Sequence, residues 1–526
     1  MKEKLGVNQP RFEQKTRQEP MPKDGIRPAP PLATKKKDII KGLCIVVDFS
    51  DEQSYYTLPE LDSMMNGKNF TSYGLNGSVY QYFNDVSGGV VEFNNVIYGI
   101  FRAPKTFAEY DAMSMGVGVR EILQLALESM DKEGFDFSTL SHDSSGYIRS
   151  ITLLYPGSPS SGMWYHQYWH NGFKADGVQS NTYCTSDANM SLRRLCHENG
   201  HQLFHWPDMY QYRSGICGTI GSFDLMASGG DDYNPVPPNP YFMLKEGWAT
   251  ATEVNNYTGT ITDTANDLHF YKYTNPLNPK EYYLFNAVQN TGRSEYLPDE
   301  GLSIWKIIEN GNNQSDGSWM VRLIHADNGC NYNGMCWKPG LNTEYSDTSV
   351  PGAKWEEGII LSNIKTGLRC WNVSAPGAVI TYQFNNYVCP PSPVETYVKL
   401  ASGKLEKNNI IGVCLGSDDF TLSPLPNTST GWTWLETDIY RLNVDTISKS
   451  REVPVSGTKE VYYQDIRSIT AYFEAPNGCF YRADYTINYR TSPQATAFVE
   501  TENSDWIQKP TVRVCAGGLC NLRAEV

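Results

Sequence analysis

The sequence predicts a multidomain α+β protein: an α/β domain first, a β-sandwich second and a further β-rich unit last. Three observations predict it. A continuous apolar run, Gly42-Leu43-Cys44-Ile45-Val46-Val47-Asp48-Phe49, is followed by two stretches with apolar residues at helical spacing. That is the pattern of a buried sheet strand backed by helices. After about residue 258 the helical period disappears and short alternating runs replace it. Cys389-Pro390-Pro391-Ser392-Pro393 then interrupts the chain as a linker. The resulting division is a flexible basic arm or pro-segment at 1–38, a first domain at 39–258, a β-sandwich at 259–388 and a C-terminal β-rich domain at 394–526.

Taken in order, residues 1–38 hold six prolines and no periodicity, as in a flexible arm. Ser78 to Phe83 predicts a short helix, and Val90 to Tyr98 a strand or hairpin. Residues 115–131 place Val119, Ile122, Leu123, Ala126, Leu127 and Met130 on one helical face, so a long helix backs the sheet. Ile148 to Tyr155 reads as another strand. A second helix covers about 188–205, with Leu192, Leu195, Cys196 and Leu203 as its apolar face. Asp187 or Asn189 is its expected N-cap, and Pro207 stops it. Tyr282-Tyr283-Leu284-Phe285, Leu302-Ser303-Ile304-Trp305 and Val379-Ile380-Thr381-Tyr382 are the sandwich strands.

The net charge of −14 argues against nucleic acid and anionic membranes as partners. It is uneven: residues 1–41 carry eleven basic and five acidic residues, which leaves −20 on the rest. No run approaches the ~20 apolar residues that span a bilayer. Twelve cysteines, with Cys330/Cys336 and Cys515/Cys520 as close pairs, suggest several disulfides and an extracellular, secreted destination. The N-terminus lacks the apolar core of a signal peptide, so export requires a signal already removed or another route.

The chemistry concentrates at His197-Glu198-Asn199-Gly200-His201. Two histidines four apart share one helix face and reach one ion. Glu198 beside them is placed to deprotonate water held by that ion. Zn²⁺ would supply Lewis acidity, and Glu198 would act as general base and pass the proton to the leaving amine. An ordinary amphipathic helix with solvated histidines is the bland alternative. The turn after the helix, Phe204-His205-Trp206-Pro207-Asp208, can return a third ligand, with Asp208 the first choice and His205 the second. Met226, in Phe223-Asp224-Leu225-Met226-Ala227-Ser228-Gly229, can form an apolar floor under the ligands.

These motifs, in this order, resemble the M6 (immune inhibitor A type) metalloproteases of the metzincin clan. Lys41 to Asp51 resembles that family's opening strand, and Gly77 to Gly89 its Ser-Val-x-x-Tyr-Phe segment. Pro240 to Trp248 resembles the helix after the Met-turn; Glu281 to Leu284 and Leu297 to Trp305 resemble the β-domain that follows. The likeness covers about residues 39–388. It implies a metzincin-like zinc protease domain and endopeptidase activity on protein or peptide substrates. Two departures stand out. The family places Gly three residues and Asp six residues after the second histidine, whereas Phe204 and Trp-Pro precede Asp208 here. Lys306 stands where histidine is expected, and carries no catalytic role.

Other candidates are weaker. His166 and His170 lie among Trp164, Tyr165, Tyr168 and Trp169, as aromatic packing or substrate lining. His142, His269 and His325 read as structural or surface residues. Cys196 points to the apolar back of its helix, which disfavours a thiol protease. Asp231 and Asp232 could bind Ca²⁺, shape the substrate pocket or form a solvated acidic loop. Rival functions are a non-catalytic adhesin on a degenerate protease fold and another zinc hydrolase acting on glycoproteins. Oligomeric state is not legible.

Overall fold

The computed structural model describes residues 36–188, 191–210 and 220–386, apart from 277, 312, 314–318, 330–333 and 358–360; beyond residue 396 it describes mainly strands. Residues 1–35 of the predicted arm and the predicted linker lie outside the described residues. The chain divides into two compact units. One holds Met1–Thr274, Lys280–Gly352 and Leu368–Asn386; the other holds Asn275–Pro279, Ala353–Gly367 and Tyr387–Val526.

The first unit opens on β1 (Asp38–Asp48), which pairs in parallel with β2 (Val91–Arg102) and with β3 (Ile151–Tyr155). Covered on both faces, β1 can be apolar without alternation. Its residues still sort by a period of two: Ile40, Cys44 and Val46 enter one core, and Leu43, Ile45 and Val47 the other. Beyond β3 come a short β4 (Gln167–Trp169), a hairpin of β5 (Lys174–Ala175) and β6 (Val178–Gln179), and β7 (Thr182–Asp187). β7 pairs in parallel with β3, and β4 closes the edge antiparallel, giving the order β2-β1-β3-β7-β4.

Helices cover both faces of this sheet. On one side lie α1 (Leu58–Asn66), α2 (Val79–Val86) and part of α5 (Leu192–Phe204). Between these in sequence are a short α3 (Phe107–Asp111) and α4 (Val117–Lys132), which belong to the opposite core. The six apolar positions expected for α4 all have no exposed surface, and each except Ala126 contributes roughly 1.5–3 kcal/mol. The second predicted helix begins later than its pattern indicated. Ser191, not Asp187 or Asn189, caps it: the Arg194 amide donates to Ser191 Oγ at 3.2 Å. Asp187 instead ends β7 and pairs with Arg194.

After α6 (Pro240–Lys245) the unit becomes all β. β8 (Thr250–Glu253), β10 (His269–Thr274), β11 (Glu281–Val288), β12 (Gly301–Ile308) and β13 (Val321–Leu323) form one sheet. β9 (Gly259–Thr264) joins Val379–Asn386, Leu368–Trp371 and Tyr345–Ser346 in another. The sheets meet through aromatic pairs, including Phe285 with Tyr382 and with Phe384. All three predicted sandwich runs are strands here. Among the second unit's described residues, the regular elements are all strands.

No described helix is long and apolar enough to cross a membrane. Cys44, Cys184, Cys196, Cys336 and Cys370 are buried free thiols. Cys330, Cys515 and Cys520, invoked above for disulfides, lie outside the described residues.

Candidate metal centre

Helix α5 turns Leu192, Leu195 and Cys196 into the core, which leaves His197 and Glu198 bordering a cavity, with His201 one turn beyond His197. The helix ends because His205 adopts φ 55°, ψ 32°, the left-handed region that terminates helices. Trp206 then locks the exit. Its indole stacks on Phe204 at 4.8 Å and on Phe242 at 5.4 Å, and its N–H donates to the Glu246 carboxylate at 3.2 Å. The chain thereby doubles back and delivers Asp208 beside the two histidines.

His197 Nε2 and His201 Nε2 are 3.1 Å apart, and Asp208 Oδ1 lies 3.1 Å from the first and 3.2 Å from the second. The outer ring nitrogens are engaged elsewhere. His197 Nδ1–H donates to the Leu225 carbonyl at 3.0 Å, and His201 Nδ1–H donates to the Trp206 carbonyl. With the outer nitrogens so engaged, two imidazole nitrogens and a carboxylate oxygen face one another around one point. Three such donors at this spacing repel unless a cation joins them. A tetrahedral ion with ~2.1 Å bonds separates its ligands by about 3.4 Å, close to the edges of this triangle. It is the one such cluster among the described residues.

Without a cation, protons take its place. Burial disfavours charge on His201, but Asp208 and Glu198 outweigh it and raise its pKa. Burial raises Asp208, but the hydrogen bonds from His197 and His201 prevail and hold its carboxyl far below the usual range.

The segment Asp224–Gly229 forms a floor. Its Leu225 carbonyl orients His197, and the Met226 carbonyl accepts from the Met209 amide at 2.7 Å, next to Asp208. Met226 is fully buried. A Cβ on Gly200 would lie 2.8 Å from Met226 Sδ and 2.9 Å from Trp206 Cε3, so only glycine lets helix and floor approach. The buried Asp224 carboxylate braces the turn, accepting from Asn239 Nδ2 at 2.7 Å and from the Met226 amide at 3.1 Å. Burial pushes it up to about 6 despite those bonds.

The cavity above, about 550 Å³, is lined by Gly157, Ser158, Pro159, Trp164, Tyr165, Asp187, Arg193, Arg194, His197, Glu198 and Tyr210. Glu198 is 8% exposed, and burial raises its pKa against the opposing pull of both histidines. One wall, the loop after β3, is clamped by Asp111. Its carboxylate accepts from the amides of Ser160, Ser161 and Met163 and from Ser160 Oγ, at 2.6 to 3.1 Å for the shortest contact of each. Sequence reading singled out none of Asp111, Arg193, Arg194 or Tyr210 for a role. Two arginines in the first turn of a helix, where cations are disfavoured, were the available signal.

The other predicted residues fall elsewhere. His205 is exposed in the helix-terminating turn and takes no part in the cluster. Asp231 accepts from the Tyr233 and Asn234 amides, and Asp232 pairs with Arg193, so neither joins a cation cluster. His166 and His170 are buried against Tyr183, with Trp164 and Tyr165 on the cavity. His142 bonds the Asp143 carbonyl, His269 bonds Thr250 and Thr252, and His325 bonds the Gly329 carbonyl. Lys306 is paired with Glu281 inside the β region.

No family model and no curated protein matches this chain. Two solved structures overlap it partially, both extracellular domains from B. thetaiotaomicron. That of a hybrid two-component system is 7% identical, with 40% of this chain and 24% of that chain covered and a TM-score of 0.15. That of a one-component system is 10% identical, with 44% and 38% covered and a TM-score of 0.15. The chain thus spans well under half of either, and these overlaps define no shared fold.

Proposed function

We propose that this protein is a zinc-dependent endopeptidase of metzincin type, related to the M6 metalloproteases and acting outside the cell. The observation that carries the reading is the triangle of His197 Nε2, His201 Nε2 and Asp208 Oδ1, with both imidazole protons tied outward and Glu198 alongside. Two imidazoles and one carboxylate form a borderline donor set suited to zinc, and three protein ligands leave a position for substrate or water. Bound zinc would supply Lewis acidity and a water acidic enough to ionise near neutral pH. The chain's own residues do the rest. Leu225 and Trp206 fix the histidine tautomers. Glu198, raised by burial, accepts a proton from the attacking water and passes it to the leaving amine. The cavity wall from Gly157 to Tyr165 and Tyr210 limit how a peptide can lie.

Glu198→Gln should keep about one zinc per chain and lower hydrolysis by at least ~10²-fold. A mass-spectrometric digest of a proteome-derived peptide library, with and without chelator, measures the activity. Full activity in that variant would exclude Glu198 as the base. Zinc content without cleavage by the wild type would favour a binding protein on a protease-like fold.

A further inference from the structure

Arg193 and Arg194 sit in the first turn of α5, on the stripes that continue through His197 and Glu198 respectively, one turn away. Cations are unfavourable there, because the helix dipole already places positive charge at that end. The fold nevertheless holds both guanidinium groups in place. Arg194 lies over the Tyr165 ring at 4.6 Å, and Tyr165 in turn stacks on Tyr155 at 5.5 Å. One Arg194 nitrogen, Nη1, pairs with Asp187. Its Nε/Nη2 edge, the edge that grips a carboxylate with two parallel hydrogen bonds, has no partner among the described residues. The Arg193 stem packs on Gly229, where a Cβ would meet Cδ at 2.8 Å, and its Nε and Nη2 both point at one oxygen of Asp232.

We infer that Arg194, with Arg193 beside it, selects substrates bearing an acidic side chain next to the bond to be cut. This rests on the zinc-peptidase reading. One helical turn separates Arg194 from Glu198, about 5–6 Å along the axis. An extended peptide advances about 3.3 Å per residue. The acidic residue therefore falls within two positions of the reacting carbonyl. The aromatic column beneath Arg194 supports one side of the guanidinium, so a carboxylate meets a preorganised partner.

Two measurements on the zinc-loaded full chain test this. The first is the library digest, scored for residues around each cut, on wild type, Arg194→Gln and Asp187→Asn. The second is binding of Ala/Tyr hexapeptides, with one Asp, Asn or Lys scanned along each, to the Glu198→Gln chain and to its Arg194→Gln derivative. Asp or Glu should be enriched at one position within two residues of the cut. Asp hexapeptides should bind about tenfold tighter than Asn ones. Arg194→Gln should shrink both effects to about twofold or less. Asp187→Asn should preserve the acidic preference, because it frees the guanidinium; a merely structural ion pair would lose it equally in both variants, which would overturn the inference. Cleavage without acidic enrichment, or enrichment unchanged in Arg194→Gln, would also overturn it. Acid-selective binding without any cleavage would instead overturn the endopeptidase reading and keep the acid-selective site. The absence of both cleavage and selectivity would overturn both.

Discussion

The first unit contains two separate pairs of histidines four residues apart, His166/His170 and His197/His201, with His205 a further four residues on, in the turn that ends the helix. Their fates differ because their backbones do. Four residues along a helix rise about 6 Å and return to nearly the same face, so the Nε2 atoms of His197 and His201 come to 3.1 Å. Four residues along a strand span about 13 Å. His166 and His170 flank β4 and sit at either side of the Tyr183 ring, with centroids 5.5 and 6.5 Å from it. Each then finds a protein partner. His166 Nδ1–H donates to the Trp164 carbonyl and its Nε2 accepts from Tyr183 Oη at 3.0 Å; His170 Nδ1 bonds Ser180 Oγ at 2.8 Å. One pair is satisfied by its own fold. The other gathers with Asp208 around one point, and that difference, not the spacing, marks a candidate metal site.

Breaking the comparison outright gives the largest expected effect. His201→Gln should remove zinc and hydrolysis together, because only two of the three protein donors would remain. His170→Gln should leave about one zinc per chain and keep cleavage, at roughly 1–2 kcal/mol of stability from one lost buried hydrogen bond. Zinc content by atomic absorption, alongside the peptide digest, checks both. If His170→Gln also emptied the metal site, the division between the two pairs would be false.

The same contrast explains what could be read in advance. The candidate ligands lie within twelve residues, from His197 to Asp208, so local rules reach them. The choice between Asp208 and His205 stayed open because it depended on the turn's handedness, and the left-handed His205 settles which side chain comes back. The strand β1 and helix α4 were legible from apolar period alone. The start of α5 was misplaced by its capping chemistry: Asp187 belongs to β7, and Ser191 takes the cap. Of the cavity walls, only the aromatic stretch around Trp164 and Tyr165 was legible, as packing or substrate lining. Asp111, at the end of α3, meets residues 160–163 only because the crossovers of a parallel sheet bring them together. The β-region's aromatic texture gave its class, yet no sequence pattern told that much of it would share one compact unit with the domain before it.

A subtler test concerns that wall. Asp111 gathers four donors from the loop, and the loop carries no metal ligand. In Asp111→Asn, an amide NH₂ would face backbone N–H groups, so about 1–3 kcal/mol of local order should be lost. Amide exchange at Ser160, Ser161 and Met163 should then speed up roughly 10–100-fold, and KM should rise about severalfold with kcat nearly unchanged. The pH dependence has a definite sign. Burial raises the Asp111 pKa, but the loop's hydrogen bonds outweigh it and lower it overall. A carboxyl depressed in the folded state contributes order above its unfolded value of about 4 and loses it as pH falls through the folded value. Wild-type protection should therefore hold at pH 7 and fail only at acid pH, whereas the variant lacks it throughout. Equal protection in both proteins would remove Asp111 from the cavity's architecture.

The smallest expected effect belongs to Cys196, one residue before the first ligand and a natural suspect for a thiol mechanism. Helical geometry turns it about 100° away from His197, and it is completely buried in the core shared with Leu192 and Leu195. Burial pushes its thiol well up, with Arg293 opposing only weakly, so almost no thiolate exists at neutral pH to attack anything. Cys196→Ala removes one buried sulfur. It should cost about 1 kcal/mol, visible as a slightly earlier thermal transition, and leave kcat/KM and zinc content within about twofold of wild type. Native protein should also resist thiol alkylation at this position while remaining sensitive to chelator. Loss of hydrolysis in Cys196→Ala with zinc still bound would shift the chemistry from the carboxylate on the cavity side of α5 to the sulfur on its core side. The burial of that sulfur gives a substrate no path to it.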